Sequence, residues 1–180
     1  MRDGLRAPTR IVLVGFMGAG KSTVGPLVAE ALGWSFLDLD VELARRLGAS
    51  IADVFRTRGE RVFREEERRL AEEAESLERL VLAAGGGAFA QAATREALRR
   101  GAFTVWLQCG LPAVLARIPP DGSRPLAADR ETIAALFVQR ESSYREADCR
   151  VDAEQTAGAV ARDVVEAYRK RTAERRQDAS

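Results

Sequence analysis

The chain has 180 residues, 46% of them apolar and 31% charged, with a net charge of +1, which is enough for one well-built core and short for two. That composition excludes a disordered or fibrous chain, and the near-neutral charge excludes a global field that would draw in nucleic acid or an anionic membrane. Histidine is absent altogether, so triads and imidazole bases are excluded and the chemistry falls to carboxylates, arginines, lysine and backbone dipoles.

Cys109 and Cys149 stand in no spaced motif, and without histidine a zinc site has too few ligands. A reduced, cytosolic protein is expected. The opening "MRDGLRAPTR" has no apolar h-region and no 18-residue apolar run follows, so neither export nor membrane spanning is indicated.

The first predicted element is a strand, "RIVLVG" (10–15), which runs into "GFMGAGKSTVG" and then a helix over 21–32. Gly15-x4-Gly20-Lys21-Ser22 fits the phosphate-loop pattern in its required strand-to-helix context. Small residues let consecutive N–H groups curl around an anion, the helix start adds its positive dipole end, and Lys21 brings a charge to the β- and γ-phosphates. Gly18, Ala19, Gly20, Lys21, Ser22 and Thr23 are the candidate nucleotide-binding set, with the Ser22 hydroxyl available to Mg²⁺. Pro26 falls in the second turn of this helix, where it removes a backbone donor. A kink is expected there unless Pro26 still counts among the first-turn positions.

A second strand, "WSFLDLD" (34–40), ends in Asp38 and Asp40, which strand alternation places on one side at the carboxyl end. One could hold a Mg²⁺-bound water and the other accept a hydrogen bond from an attacking hydroxyl; helix capping by Asp40 is the competing reading. Helices follow at 41–47, 50–57 and 60–78, the last placing Arg64 and Glu67 on one face. A third strand, "RLVLAAGGG" (79–87), closes on Gly85, Gly86 and Gly87, where three residues without side chains expose backbone to a close ligand or make a plain turn. A helix (91–100), a fourth strand (102–109) and a helix (111–117) lead to "IPPDGSRPLAADR" (118–130), whose prolines forbid continuing either neighbouring helix. A helix (130–145), a fifth strand (148–154) and a helix (156–172) complete the pattern, and the polar tail is expected to fray. Strands alternating with helices point to an α/β fold: a three-layer α/β/α arrangement with a five-stranded parallel sheet.

The absence of asparagine removes the guanine-reading Asn-Lys-x-Asp element of GTPases, and protein kinases lack a Gly-Lys-Ser/Thr ending and need a catalytic-loop asparagine. An ATP-dependent phosphotransferase or an ATP-binding module without chemistry remains.

Taken together and in order, "GFMGAGKSTVG", "FLDLD", "GERVFREEE", "GGGA", "SRPL" and "RESSY" resemble shikimate kinase over about residues 9–170. The resemblance implies a P-loop kinase fold in a single domain spanning 1–180, with a core at about 9–170, a lid at about 111–130 and a tail at 171–180. It implies ATP and Mg²⁺ as cofactors, shikimate as small-molecule substrate, and phosphorylation of its 3-hydroxyl on the way to aromatic amino acids. Carried over by position, Asp40 receives the ring hydroxyls, Arg64 and Arg140 bind the carboxylate, and backbone at Gly86 and Gly87 supports the pocket. Asp38 holds Mg²⁺ through water, Arg124 is the lid arginine that closes on the γ-phosphate, and Arg117 lies against adenine; Lys21, Asp40 and Arg124 form the catalytic set. A monomer in the cytoplasm, with no nucleic-acid or membrane partner, is expected. Two departures stand out: "IPPDGS" before Arg124 is stiff for a hinged lid, and "DAEQTAG" (152–158) offers no match for base contacts. A kinase for another hydroxy acid such as gluconate and a non-catalytic ligand-sensing module are the alternatives.

Overall fold

A computed structural model of the chain describes residues 8–118 and 129–177. Five strands, β1 (Arg10–Val14), β2 (Ser35–Asp38), β3 (Leu80–Ala83), β4 (Ala102–Gln108) and β5 (Cys149–Asp152), form one sheet in the order β2-β3-β1-β4-β5. Every pairing is parallel, with Ile11 opposite Val81 on one side and Phe103 on the other. The central strand is wholly apolar after Arg10, and Ile11 through Val14 are at most 1% exposed, as a strand covered on both faces requires.

Among the described residues seven α-helices accompany the strands: α1 (Lys21–Leu32), α2 (Leu39–Leu47), α3 (Ile51–Glu73), α4 (Ala92–Arg99), α5 (Leu111–Arg117), α6 (Arg130–Tyr144) and α7 (Ala157–Gln177). Among the described residues no helix is long and apolar enough to cross a membrane. α1 packs on α7, and α3 buries Phe63, Glu67 and Leu70 at four- and three-residue steps, the spacing of one helical face. The predicted break between 57 and 60 is a kink within α3 at Gly59, whose φ of 83° favours glycine.

Three expectations need correction. α1 runs from Lys21 to Leu32 through Pro26; the residue preceding a proline is restricted partly by its own Cβ, and Gly25 has none. A Cβ there would lie 2.2 Å from the Phe36 ring, so Gly25 serves both the proline and the packing of α1 on β2. The second strand ends at Asp38, and Asp40 lies in the first turn of α2, so helix geometry rather than strand alternation sets the two carboxylates. The N-cap of α2 is Asp38, not Asp40: its Oδ1 accepts from the amides of Asp40 and Val41 at 3.0 and 3.3 Å. Finally, α7 continues to Gln177, because Ala, Glu and Arg propagate a helix well without an apolar stripe.

Candidate active site

β1 delivers the chain to Gly15 at the carboxyl rim of the sheet. A side chain there would meet the Leu107 carbonyl oxygen at 2.6 Å, so the loop turns against β4 only because Gly15 has no Cβ. Gly20, with φ 93°, caps α1 without a side chain that would compete with an anion at the helix start. Lys21, 8% exposed, folds over the loop and donates from Nζ to the carbonyls of Gly15 and Phe16 at 2.7 and 3.0 Å. This holds the ammonium above the cradle instead of leaving it on a free stem. Ser22 Oγ donates to Asp38 Oδ2 at 2.5 Å, while Asp38 Oδ1 is committed to capping α2. A hydroxyl and a carboxylate oxygen fixed side by side fit a small hard cation that takes one or two protein oxygens and fills its other positions with phosphate and water. No group of three or more acidic or cysteine ligands exists among the described residues, which offer no cage of their own.

Beside the loop, the three glycines after β3 are required by close approach, since none has positive φ. A Cβ on Gly85 would lie 2.6 Å from Asp40 Oδ1 and 2.9 Å from Glu67 Oε1; on Gly86, 3.3 Å from the Met17 amide nitrogen; on Gly87, 2.7 Å from Arg64 Nη2. The turn is therefore a floor onto which α2, α3 and the phosphate loop all close. Arg64 donates from Nη1 to Glu67 Oε2 at 2.8 Å and from Nε and Nη2 to Glu60 Oε1 at 3.2 and 3.1 Å. Its guanidinium carbon sits 5.2 Å from the Phe63 ring centre. Glu67 is fully buried, and its Oε1 has no hydrogen-bond partner among the described residues. Burial pushes its carboxyl pKa up, against the pull of Arg64 and Arg140 and with the nearby Asp40 adding to the rise. Arg140, on the buried face of α6 and 6% exposed, lies 5.7 Å from the Phe16 ring centre. Tyr144, one helical turn further, donates its hydroxyl to the Gly86 carbonyl.

At the opposite end of the loop, Arg117 at the close of α5 donates twice to the Ala153 carbonyl, both at 3.1 Å, and to Gly18 at 3.4 Å. One open cleft of about 450 Å³ joins these parts. Residues Gly18 to Thr23, Asp38, Asp40, Gly86 and Arg117 all line it, and Ala153, Gln155, Ala157 and Val160 complete the end beside Arg117.

Of the residues singled out from sequence, Arg64, Gly87 and Arg140 lie outside the cleft wall but are gathered around Glu67 and the glycine turn behind Asp40. Arg124 and the Pro119–Pro120 step lie outside the described residues. Spacing alone puts Glu67 on the same helical face as Arg64, and the structure adds that this face is buried at Glu67. The signal for its burial was there: Glu67 falls between Phe63 and Leu70 on the apolar spacing of α3. The Ala153 carbonyl was invisible, because a main-chain acceptor has no residue-type signature.

A family model described as shikimate kinase matches residues 17–169. The chain is 44% identical to the shikimate kinase of Moorella thermoacetica over 165 residues, covering 90% of this chain and 95% of that protein. It is 42% identical to that of Geobacter sulfurreducens over 158 residues, 86% of each. A solved structure of shikimate kinase from Acinetobacter baumannii in complex with shikimate superposes with a TM-score of 0.87 at 37% identity, over 93% of this chain and 96% of the other.

Proposed function

The chain belongs to the shikimate kinase family, and from that premise we propose that it transfers the γ-phosphoryl group of ATP to the 3-hydroxyl of shikimate, giving shikimate 3-phosphate for aromatic amino acid biosynthesis. The observation that carries the assignment to this site is the double membership of Asp40. It lines the phosphate-loop cleft and also lies beside Glu67, the partner of Arg64, at Gly85, which supports an acceptor bound next to the donor cradle.

The acceptor carboxylate is read by Arg64 and Arg140, because guanidinium forks bind carboxylates with two parallel bonds and stay charged when desolvated. The ring hydroxyls fall to Asp40 and the backbone of Gly86 and Gly87. Asp40 orients the attacking hydroxyl and accepts its proton late in a loose transition state, where positioning and charge neutralisation matter more than base strength. Lys21 neutralises charge on the transferred group, and Arg124 joins it from the lid segment; closure there excludes water. Ser22 would hold Mg²⁺ and Asp38 would hold it through water; when bound, the ion would neutralise phosphate charge. Arg117, tied to the Ala153 carbonyl, forms one wall of the adenine end. The protein acts as a cytoplasmic monomer on small molecules, with the core at about 9–170 as one catalytic domain.

The test is ADP release coupled to an indicator reaction, with shikimate present, absent, or replaced by gluconate. Shikimate-dependent turnover is expected, and equal turnover without it would overturn the reading. In the same assay Arg140→Ala raises the shikimate KM by about 10²-fold, the scale of a lost charge-assisted bond, and leaves the ATP KM within a factor of two.

A further inference from the structure

Tyr144 has no part in the reading above, yet it is the most deeply placed polar side chain on α6. It is 2% exposed, and its ring packs 6.1 Å from that of Trp106. Its hydroxyl reaches the Gly86 carbonyl across 58 residues of chain, so α6 is fastened by a single bond to the middle of the triple-glycine turn. The turn's other hydrogen bonds among the described residues are local. The Gly85 and Gly87 carbonyls accept from the Ala88 and Ala90 amides further along the chain, and glycine itself imposes no preference on the peptides between. A trans peptide points its N–H opposite to its C=O. Holding the Gly86 carbonyl toward α6 therefore turns the Gly87 N–H away from α6. Among the described residues that amide meets no protein acceptor, which leaves it a fixed donor for a bound hydroxyl or carboxylate oxygen.

Resting on the acceptor-site reading, we propose that Tyr144 is a positioning residue for the phosphate acceptor: its hydroxyl sets the plane of the Gly86–Gly87 peptide and fixes that plane relative to Arg140, one turn back on the same helix. Arg140 also shares a hydrogen bond with the phenol oxygen, and the charges of Arg140 and Arg64 both act on it, which places it among the two guanidiniums assigned to the acceptor carboxylate and couples its position to that of Arg140. A phenol is already protonated at physiological pH, and burial pushes its pKa further up, so it remains a donor.

The surgical variant is Tyr144→Phe, which keeps the ring and removes the tether. Coupled ADP release should show the shikimate KM raised about five- to tenfold, the worth of one neutral hydrogen bond, with the ATP KM within a factor of two. An unchanged shikimate KM, or both KM values rising together, would overturn the proposal, the second outcome marking a merely structural role. A measurement without substrate separates this from the choice of acceptor. In the ¹⁵N-labelled, ligand-free protein, the Gly87 amide signal of the variant should shift and its hydrogen exchange should quicken. A Gly87 amide that stays put refutes the tether whatever acid the enzyme phosphorylates. In the wild-type chain the same amide should gain exchange protection from shikimate but not from ATP, and protection by ATP alone would also count against it.

Discussion

Gly85→Ala adds one carbon where the structure leaves no room, and the consequence can be worked from two distances. The new Cβ would stand 2.6 Å from Asp40 Oδ1 and 2.9 Å from Glu67 Oε1, against an ordinary contact beginning at 3.4 Å. Gly85 has no positive φ, so backbone strain is not part of the cost and the effect is the collision alone. Glu67 is locked by its bond to Arg64 and by complete burial, whereas Asp40 is only half-buried at the start of α2. Asp40 therefore yields, and its oxygen must retreat by about 0.8 Å. Misplacing an orienting group by about 1 Å costs on the order of 10²-fold in rate, while overpacking of this kind costs about 1–3 kcal/mol of stability. Steady-state coupled assays should show kcat/KM for shikimate lowered about 10²-fold and the ATP KM within a factor of two. The melting temperature should fall by roughly 2–4 °C per kcal/mol lost. A folded variant with near-normal kcat/KM would show that the Asp40 carboxylate is not needed where it stands, and would refute the reasoning.

Lys21→Ala should lower kcat by about 10²- to 10³-fold, the range for removing one group aimed at developing charge, with an unchanged circular dichroism melt; a rate within a few-fold of wild type would remove the loop from the mechanism. Glu67→Gln should alter how stability depends on pH. The fold raises this carboxyl pKa, so the native state binds the proton more tightly than the unfolded chain, and wild-type stability falls as pH climbs from the unfolded value of about 4.3 through the folded one. The variant carries no such loss. Its melting temperature relative to wild type should therefore grow across that window and then level off, and a pH-independent difference would contradict the direction of the shift. Gly158→Ala meets only Arg162 Nη1, at 4.0 Å, and should stabilise α7 by about 0.5 kcal/mol, read as a small rise in melting temperature; a fall would mean that α7 has no room at its start.

What the sequence disclosed and what it concealed divide along a physical line. Runs such as "RIVLV" and "FTVWLQ" announce buried parallel strands, because a strand covered on both faces has no polar side to confuse the pattern. The phosphate loop was legible because its chemistry demands particular residue types at fixed spacing. The triple glycine could be located but not explained: its reason is the proximity of Asp40, Met17 and Arg64, brought there by three different segments. The Asp38–Asp40 pair misled because strand alternation was carried two residues too far, past the point where Asp38 caps α2. Gly25 and Phe36 show the same limit, since nothing in either segment says that a ring will lie on that helix. Contacts made by main-chain carbonyls, such as Arg117 on Ala153 or Tyr144 on Gly86, are chosen by topology and appear only once the chain is folded.

Arg64 illustrates how a binding charge can be held ready without being spent. Its Nη1 is fixed by Glu67, fully buried and immovable, while Nε and Nη2, the edge of the guanidinium that grips carboxylates in parallel, are occupied by a single oxygen of Glu60, whose side chain is 53% exposed. The Arg64 side chain is only 15% exposed, so water reaches the pair from the Glu60 side and Glu60 is the partner that can leave. On the proposed reading, an acceptor carboxylate arriving at that edge would displace the half-exposed Glu60 and gain two bonds where Glu60 lends one oxygen. The buried partner keeps the guanidinium plane against the Phe63 ring throughout. Exchanging the two glutamates' roles would fail on both counts, since an exposed brace would leave the plane loose and a buried competitor would not let go. The order Glu60, Arg64, Glu67 on α3, with the kink at Gly59 just ahead of it, supplies that asymmetry from one helix: the outward turn lends a replaceable carboxylate and the inward turn a permanent one.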